Sequence, residues 1–230
     1  ADTTDKDCNY RQLCRVYAQL ADIFYRQNLM EENIKCLDMS VIYALRANDT
    51  MVAINSYAYK MAAYERLGLP DSVVRISDDL YRRYHCSTYR QTVICFLSQS
   101  VCSYITLGKA DKARDILCLY EKESGYFNGG LEIEPGREAY YDMKAKYYMA
   151  TGKADSAEIF YRLEKERGTD FANQNMAARG LTRIFQEKGM ADSALKYSLY
   201  SYDMNDSLYS GMATKEVGHV KGMYDYSRFQ

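Results

Sequence analysis

Apolar side chains recur along this chain at helical spacing, in runs of similar length broken by short polar turns. From Asn9 to Gln27, the positions Leu13, Val16, Tyr17, Leu20, Ile23 and Phe24 fall on one helical stripe. Ile34, Leu37, Val41, Ile42 and Leu45 mark a second helix, broken at Ala47-Asn48-Asp49-Thr50. The same reading predicts helices over about 50–67, 71–84, 87–107, 110–123, 137–151, 154–167, 171–188 and 191–203. A last helical run, from Asp206 to Gln230, carries Leu208, Met212, Val217, Val220, Met223, Tyr224 and Phe229.

The turns repeat as well. Gly152-Lys153-Ala154-Asp155-Ser156-Ala157 has relatives beginning at Gly189, Gly108, Gly68 and, more faintly, Asn28. The first residues stand at 28, 68, 108, 152 and 189, so the spacings are 40, 40, 44 and 37 residues. A period in that range marks a repeat array. Gly or Asn tolerates the left-handed backbone that closes a helix. The Asp that follows is expected to cap the next helix and to suit its positive end. The small residue at Ala113, Ala157 and Ala194 lets two helices approach closely. Each copy is therefore a helical hairpin that buries its stripe only by stacking on neighbours. The expected organisation is a loose segment 1–8, an array over 9–205 and a capping or connector helix over 206–230.

The order large, small, aromatic, Gly, Ala in Tyr141, Ala145, Tyr148, Gly152 and Ala157 resembles the tetratricopeptide repeat. Leu97, Val101, Tyr104, Gly108 and Ala113 follow it too, as do Ala178, Phe185, Gly189 and Ala194; Tyr17, Ala21, Phe24 and Asn28, and Tyr57, Met61, Tyr64 and Gly68, follow it more weakly. The spacing exceeds the family's 34 residues, the closing proline is absent, and the chain has no Trp. The resemblance implies an all-α fold, a right-handed α-α superhelix of about five hairpins plus a C-terminal helix. It also implies a concave face lined by first helices. Carried over position by position, that face takes Asp22, Tyr25, Arg26, Asn55, Arg66, Asp142, Lys146, Arg179 and Arg183, with a protein or peptide as the partner. Arg179 and Arg183, four apart, form a paired basic site suited to a carboxylate.

The Ala-Asp-Ser-Ala turns, the Tyr-rich helices and the ending from Lys215 to Ser227 also resemble extracytoplasmic tetratricopeptide regions of membrane-bound bacterial signalling proteins. That resemblance implies a sensor or scaffold region at a periplasmic or extracytoplasmic location, membrane-associated in the full-length protein. A free-standing soluble or lipid-anchored periplasmic adaptor is the alternative. The opening Ala1-Asp2-Thr3-Thr4, without Met, reads as a processed or trimmed segment.

Composition narrows the chemistry. Net charge is −1 from 30 basic and 31 acidic residues, which argues against nucleic acid as the main partner. No apolar run approaches the roughly 20 residues that span a bilayer, so any membrane anchor is expected outside this segment. Seven cysteines include no CxxC pair, and they read as small buried hydrophobes rather than a disulfide framework. His85 and His219 stand far apart, and no zinc-protease, phosphate-loop or nucleophile-elbow motif is present. The chain is therefore read as a non-enzyme with no cofactor and no metal; a thiol enzyme using Cys95 or Cys102 would have to find its histidine through folding alone. Twenty-four tyrosines fit core packing in place of Trp and Phe, or a binding surface. Asn48-Asp49-Thr50 and Asn205-Asp206-Ser207 match a glycosylation pattern but read better as helix caps. The glycine-rich stretch 124–136 is either a passive insertion or a binding loop over the inner face.

Overall fold

The structure is a computed structural model that describes the backbone of residues 9–129 and 132–228, with side chains through residue 211 apart from Leu208. Expectations for residues 1–8, Cys8, Gly130, Leu131, Leu208 and the side chains from Met212 onward, His219 among them, fall outside the described residues. Contacts divide the chain into two compact units, Ala1–Gly125 and Tyr126–Gln230.

The first unit holds α1 (Tyr10–Arg26), α2 (Met30–Arg46), α3 (Thr50–Arg66), α4 (Pro70–Tyr84), α5 (Arg90–Leu97), α6 (Val101–Thr106) and α7 (Ala110–Glu123). The expected single helix over 87–107 is instead α5 and α6 joined by a 3₁₀ stretch, Ser98–Ser100. There Ser98 and Ser100 turn their hydroxyls back onto the Cys95 and Leu97 carbonyls at 2.7 Å, an alternative to the regular ladder that serine readily offers. The second unit holds α8 (Ala139–Ala150), α9 (Ala154–Arg167), α10 (Phe171–Glu187) and α11 (Ala191–Arg228). No break separates 191–203 from the run after Asp206: α11 is one helix of 38 residues. Asn205 and Asp206 thus lie inside a helix and cap nothing; Asn205 Oδ1 accepts from Asn175 Nδ2 at 3.3 Å.

The turns carry the repeat. Asn28, Gly68, Gly108, Gly152 and Gly189 all have φ between 61° and 72°, and Asn48 joins them at 53°. At each, the next residue's N–H reaches back to the carbonyl five residues earlier: Leu29 to Phe24, Asp49 to Ala44, Leu69 to Tyr64, Lys109 to Tyr104, Lys153 to Tyr148 and Met190 to Phe185, at 2.8–2.9 Å. This is the Schellman closure, which satisfies carbonyls left over at a helix end. The expected Asp caps need correcting. The residues at the caps are Leu29, Leu69, Lys109 and Lys153, none with a side-chain capping bond, and Asp71, Asp111, Asp155 and Asp192 sit inside the first turn. Because the helices start two residues earlier than the cap reading assumed, the carboxylates act on the helix dipole rather than as N-caps. Asp49 does cap, accepting from Val52 N at 3.3 Å.

Packing follows the stripes. In the first unit Ile54, Ala58, Met61, Val73, Leu80, Val93 and Leu97 form one buried cluster shared by adjacent hairpins. Buried hydroxyls stitch neighbours together: Ser40 to Ser56 at 2.9 Å and Ser77 to Ser100 at 2.8 Å. In the second unit Tyr140, Tyr141 and Phe160 pack ring against ring. Phe127 and Ile133 pair in one antiparallel bridge. Phe127 stands edge-on to Tyr140 at 4.9 Å and Ile133 is buried, so this part of the glycine-rich stretch is anchored on its own unit's core.

Candidate functional site

In the first unit the first helices of successive hairpins line a groove of about 770 Å³. Position nine before the turn residue supplies Gln19 from α1 and Tyr59 from α3; Gln99, in the 3₁₀ stretch, holds the same place in the third copy. Ala18, Ala21, Ala58 and Ala62 keep the floor low, and Ile23, Tyr25, Leu37 and Phe96 supply apolar walls. Tyr59 is 62% exposed although it sits mid-helix. A pocket of this size, mostly apolar with a few polar groups, is the usual form of a small-ligand or side-chain site.

One polar group stands out at the groove. Asn33 is 2% exposed and donates Nδ2 to the Ala21 carbonyl at 2.7 Å, while its Oδ1 has no partner. The other copies place Val73, Ala113, Ala157 and Ala194 at this position, all buried. Gln99 Oε1 is likewise buried without a partner.

Of the residues expected on a concave face, Asp22 and Tyr25 line this groove. Asp22 is bound to Arg26 at 2.9 Å on the surface. Arg66 lies over the Tyr25 ring at 4.7 Å and donates to the Tyr25 carbonyl at 3.3 Å, and Asn55 is half-buried on α3. Sequence reasoning missed Asn33, Leu37, Tyr59, Ala62, Phe96 and Gln99. The signal was there: Tyr59 and Ala62 share the helical face of Asn55 and Arg66, and Asn33 is polar where each of the other copies is apolar.

In the second unit the remaining expected residues behave differently. Asp142 is 4% exposed, so it is a core residue rather than part of an open lining; its carboxylate meets Lys146 at 2.6 Å. Burial raises its pKa, and Lys146 opposes that shift. Beside it Glu164, on α9, is fully buried with neither carboxyl oxygen partnered. Burial first, then the charge of Asp142, pushes the Glu164 carboxyl up to about 9. Glu164 occupies the repeat position of Ser40, Leu80 and Tyr120, which are all buried. Arg179 and Arg183 are exposed on α10, with Arg183 bonded to Glu187 at 3.0 Å. At Gly180, the second-unit counterpart of Tyr59, the Tyr161 ring lies against the backbone. Along α11, Leu195, Leu199, Tyr202 and Tyr209 are exposed.

Among the described residues Cys14, Cys36, Cys86, Cys95, Cys102 and Cys118 form no disulfide, and burial raises the Cys14 and Cys36 thiols. Among the described residues no group of three His, Cys, Asp or Glu is placed to hold a metal ion. No described helix is long and apolar enough to cross a membrane.

No family model and no curated protein sequence matches the chain. Solved structures do. A thermophilic tetratricopeptide-repeat protein of Thermus thermophilus superposes with a TM-score of 0.60 at 12% identity, over 87% of this chain and 99% of that one. A putative kinesin light chain of Podosopora anserina, with nearly identical tetratricopeptide-like repeats, gives 0.58 at 14% identity over 88% and 98%. BtubC (BKLC) from P. vanneervenii gives 0.53 at 11% identity over 88% and 93%. The fold is therefore that of an all-α, tetratricopeptide-like solenoid.

Proposed function

We propose that this protein is a protein-interaction module whose first-unit groove receives a peptide segment of a partner. The tetratricopeptide-like fold supports a protein partner. The observation that carries the reading is the 770 Å³ groove itself, built in register with the repeat from Gln19, Tyr59 and Gln99 and walled by apolar side chains. Asp22, Tyr25, Arg26, Asn55 and Arg66 form its lining and rim in this reading, and Arg179 and Arg183, with Lys146, offer a second contact region on the other unit. The module serves as the sensor or scaffold region of a membrane-anchored bacterial signalling protein, periplasmic or extracytoplasmic in location; the supporting feature is the resemblance carried by the turns and the Tyr-rich helices. A free-standing or lipid-anchored periplasmic adaptor would use the same groove.

Photo-crosslinking in cells from a reactive residue placed at position 59 tests the reading. A discrete protein adduct is expected, and Ala62→Arg, which fills the groove, is expected to remove it while the protein stays folded. Failure to form any adduct from position 59 overturns the assignment of the groove. For the second region, Arg179→Glu with Arg183→Glu is expected to weaken partner binding with little change in melting temperature; unchanged affinity removes that region from the site.

A further inference from the structure

We infer that the first-unit groove selects an aromatic side chain bearing its own hydrogen-bond donor, the phenol of tyrosine or the indole of tryptophan, with Asn33 Oδ1 as acceptor. This rests on the groove being a peptide site and adds the chemistry of what enters it. The argument starts from the exception in the repeat. At the position where the other copies bury Val73, Ala113, Ala157 and Ala194, the first copy buries an amide. Its Nδ2 is committed to the Ala21 carbonyl at 2.7 Å, which fixes the orientation of the amide and leaves Oδ1 as the unpartnered atom. An unmet buried acceptor costs about 1–3 kcal/mol, so a ligand that meets it gains over one that does not.

The other lining groups narrow the donor. Asp22 is the one ionisable acid or base among them apart from the Tyr25 and Tyr59 phenols, and Gln99 adds a second unpartnered carbonyl oxygen. A carboxylate brings no donor for the two unpartnered atoms, Asn33 Oδ1 and Gln99 Oε1, which are both acceptors. A lysine ammonium would have to shed its water against neutral carbonyls, with the Asp22 charge already held by Arg26 at 2.9 Å. Serine and threonine offer little apolar surface to Tyr25, Tyr59 and Phe96, and asparagine or glutamine brings a further carbonyl that must itself be satisfied. A donor-bearing aromatic lays a broad apolar face against Tyr25, Tyr59 and Phe96 and presents an O–H or N–H.

The test uses the full chain and capped pentapeptides that place tyrosine, tryptophan, phenylalanine, lysine or glutamate between two leucines. Affinities are read by NMR titration. Because the chain contains no Trp, tryptophan emission comes from the probe peptide alone, and its change on titration follows binding. The tyrosine and tryptophan peptides are expected to bind about tenfold tighter than the phenylalanine peptide, since a neutral buried hydrogen bond is worth about that much. In Asn33→Val, which copies the residue found at position 73, the tyrosine and phenylalanine affinities are expected to converge. On the wild-type chain the Asn33 side-chain amide resonance is expected to shift with the tyrosine peptide and not with the phenylalanine peptide, a readout that needs no variant. Equal binding of tyrosine and phenylalanine, or tightest binding of glutamate or lysine, overturns this inference while leaving a peptide groove in place. Failure of every peptide to bind also overturns it, and the crosslink from position 59 then reports separately on the groove.

Discussion

Glu164 is a carboxylic acid held in a core with no hydrogen-bond partner for either oxygen. Its pKa stands near 9 against an ordinary 4.5, so the folded chain keeps a proton that the unfolded chain releases between those values. The sign follows from linkage. Stability tied to that proton is full below about pH 4.5 and is lost as pH rises through about 9, by about 1.4 kcal/mol for each pH unit between. Asp142, Lys146 and Asp170 act on the same carboxyl, the two aspartates raising it and the lysine lowering it. Glu164→Leu, which copies Leu80 at the equivalent place, is expected to raise the unfolding midpoint at pH 8 and to change it far less at pH 5. Urea titrations at the two pH values measure this, and an equal shift at both would show that Glu164 is ionised in the fold. Glu164 is legible in the sequence only once the copies are aligned by their turns. A charged residue taken alone reads as solvated, and its burial depends on the period rather than on its own chemistry.

At the scale of elements, two glycines carry opposite constraints. Gly152 has φ of 72°, and a Cβ there would meet nothing within 4 Å. Gly152→Ala is therefore expected to cost only backbone strain, about 1–2 kcal/mol. Gly180 lies within α10 with no such backbone demand, yet a Cβ there would come within 2.3 Å of the Tyr161 ring. Alanine would gain about 1 kcal/mol in helix propensity, but the clash with Tyr161 is expected to reverse the sign and destabilise the unit by about 1–3 kcal/mol. Thermal melts of both variants, and of Gly180→Ala with Tyr161→Leu, check the assignment; Leu37 shows that leucine fits the equivalent position. The turn glycines were readable because left-handed backbone leaves a residue-type signature. Gly180 was not, since its requirement comes from a ring on another helix. The break between α5 and α6 was hidden for a related reason: the apolar stripe of Val93, Leu97, Val101 and Tyr104 runs through it unbroken, and all four are buried. Serine hydroxyls, not the stripe, shape the 3₁₀ stretch.

At the scale of the molecule, the chain divides at Gly125 and Tyr126 into units that each bury their own rings and aliphatic side chains. A chain ending at Gly125 is expected to retain its helical circular-dichroism signal and a cooperative melt; a non-cooperative melt would show that the first unit depends on residues outside it. The hairpins, their turns and the burial of Tyr104, Tyr141 and Ala145 could be read from the period. The groove could be read only in part, because neighbouring copies place Asp22, Tyr59 and Phe96 together across about 75 residues of chain, and the concave-face assignment by analogy took Asp142 for lining when it is core.

The 38 residues of α11 also have a mechanical meaning. At 1.5 Å per residue the rod is about 57 Å long, against about 25 Å for the 17-residue α10 it pairs with. A tilt of one degree pivoting at Ala191 would move the far end by about 1 Å, so the length of the rod magnifies any change of angle at the hairpin.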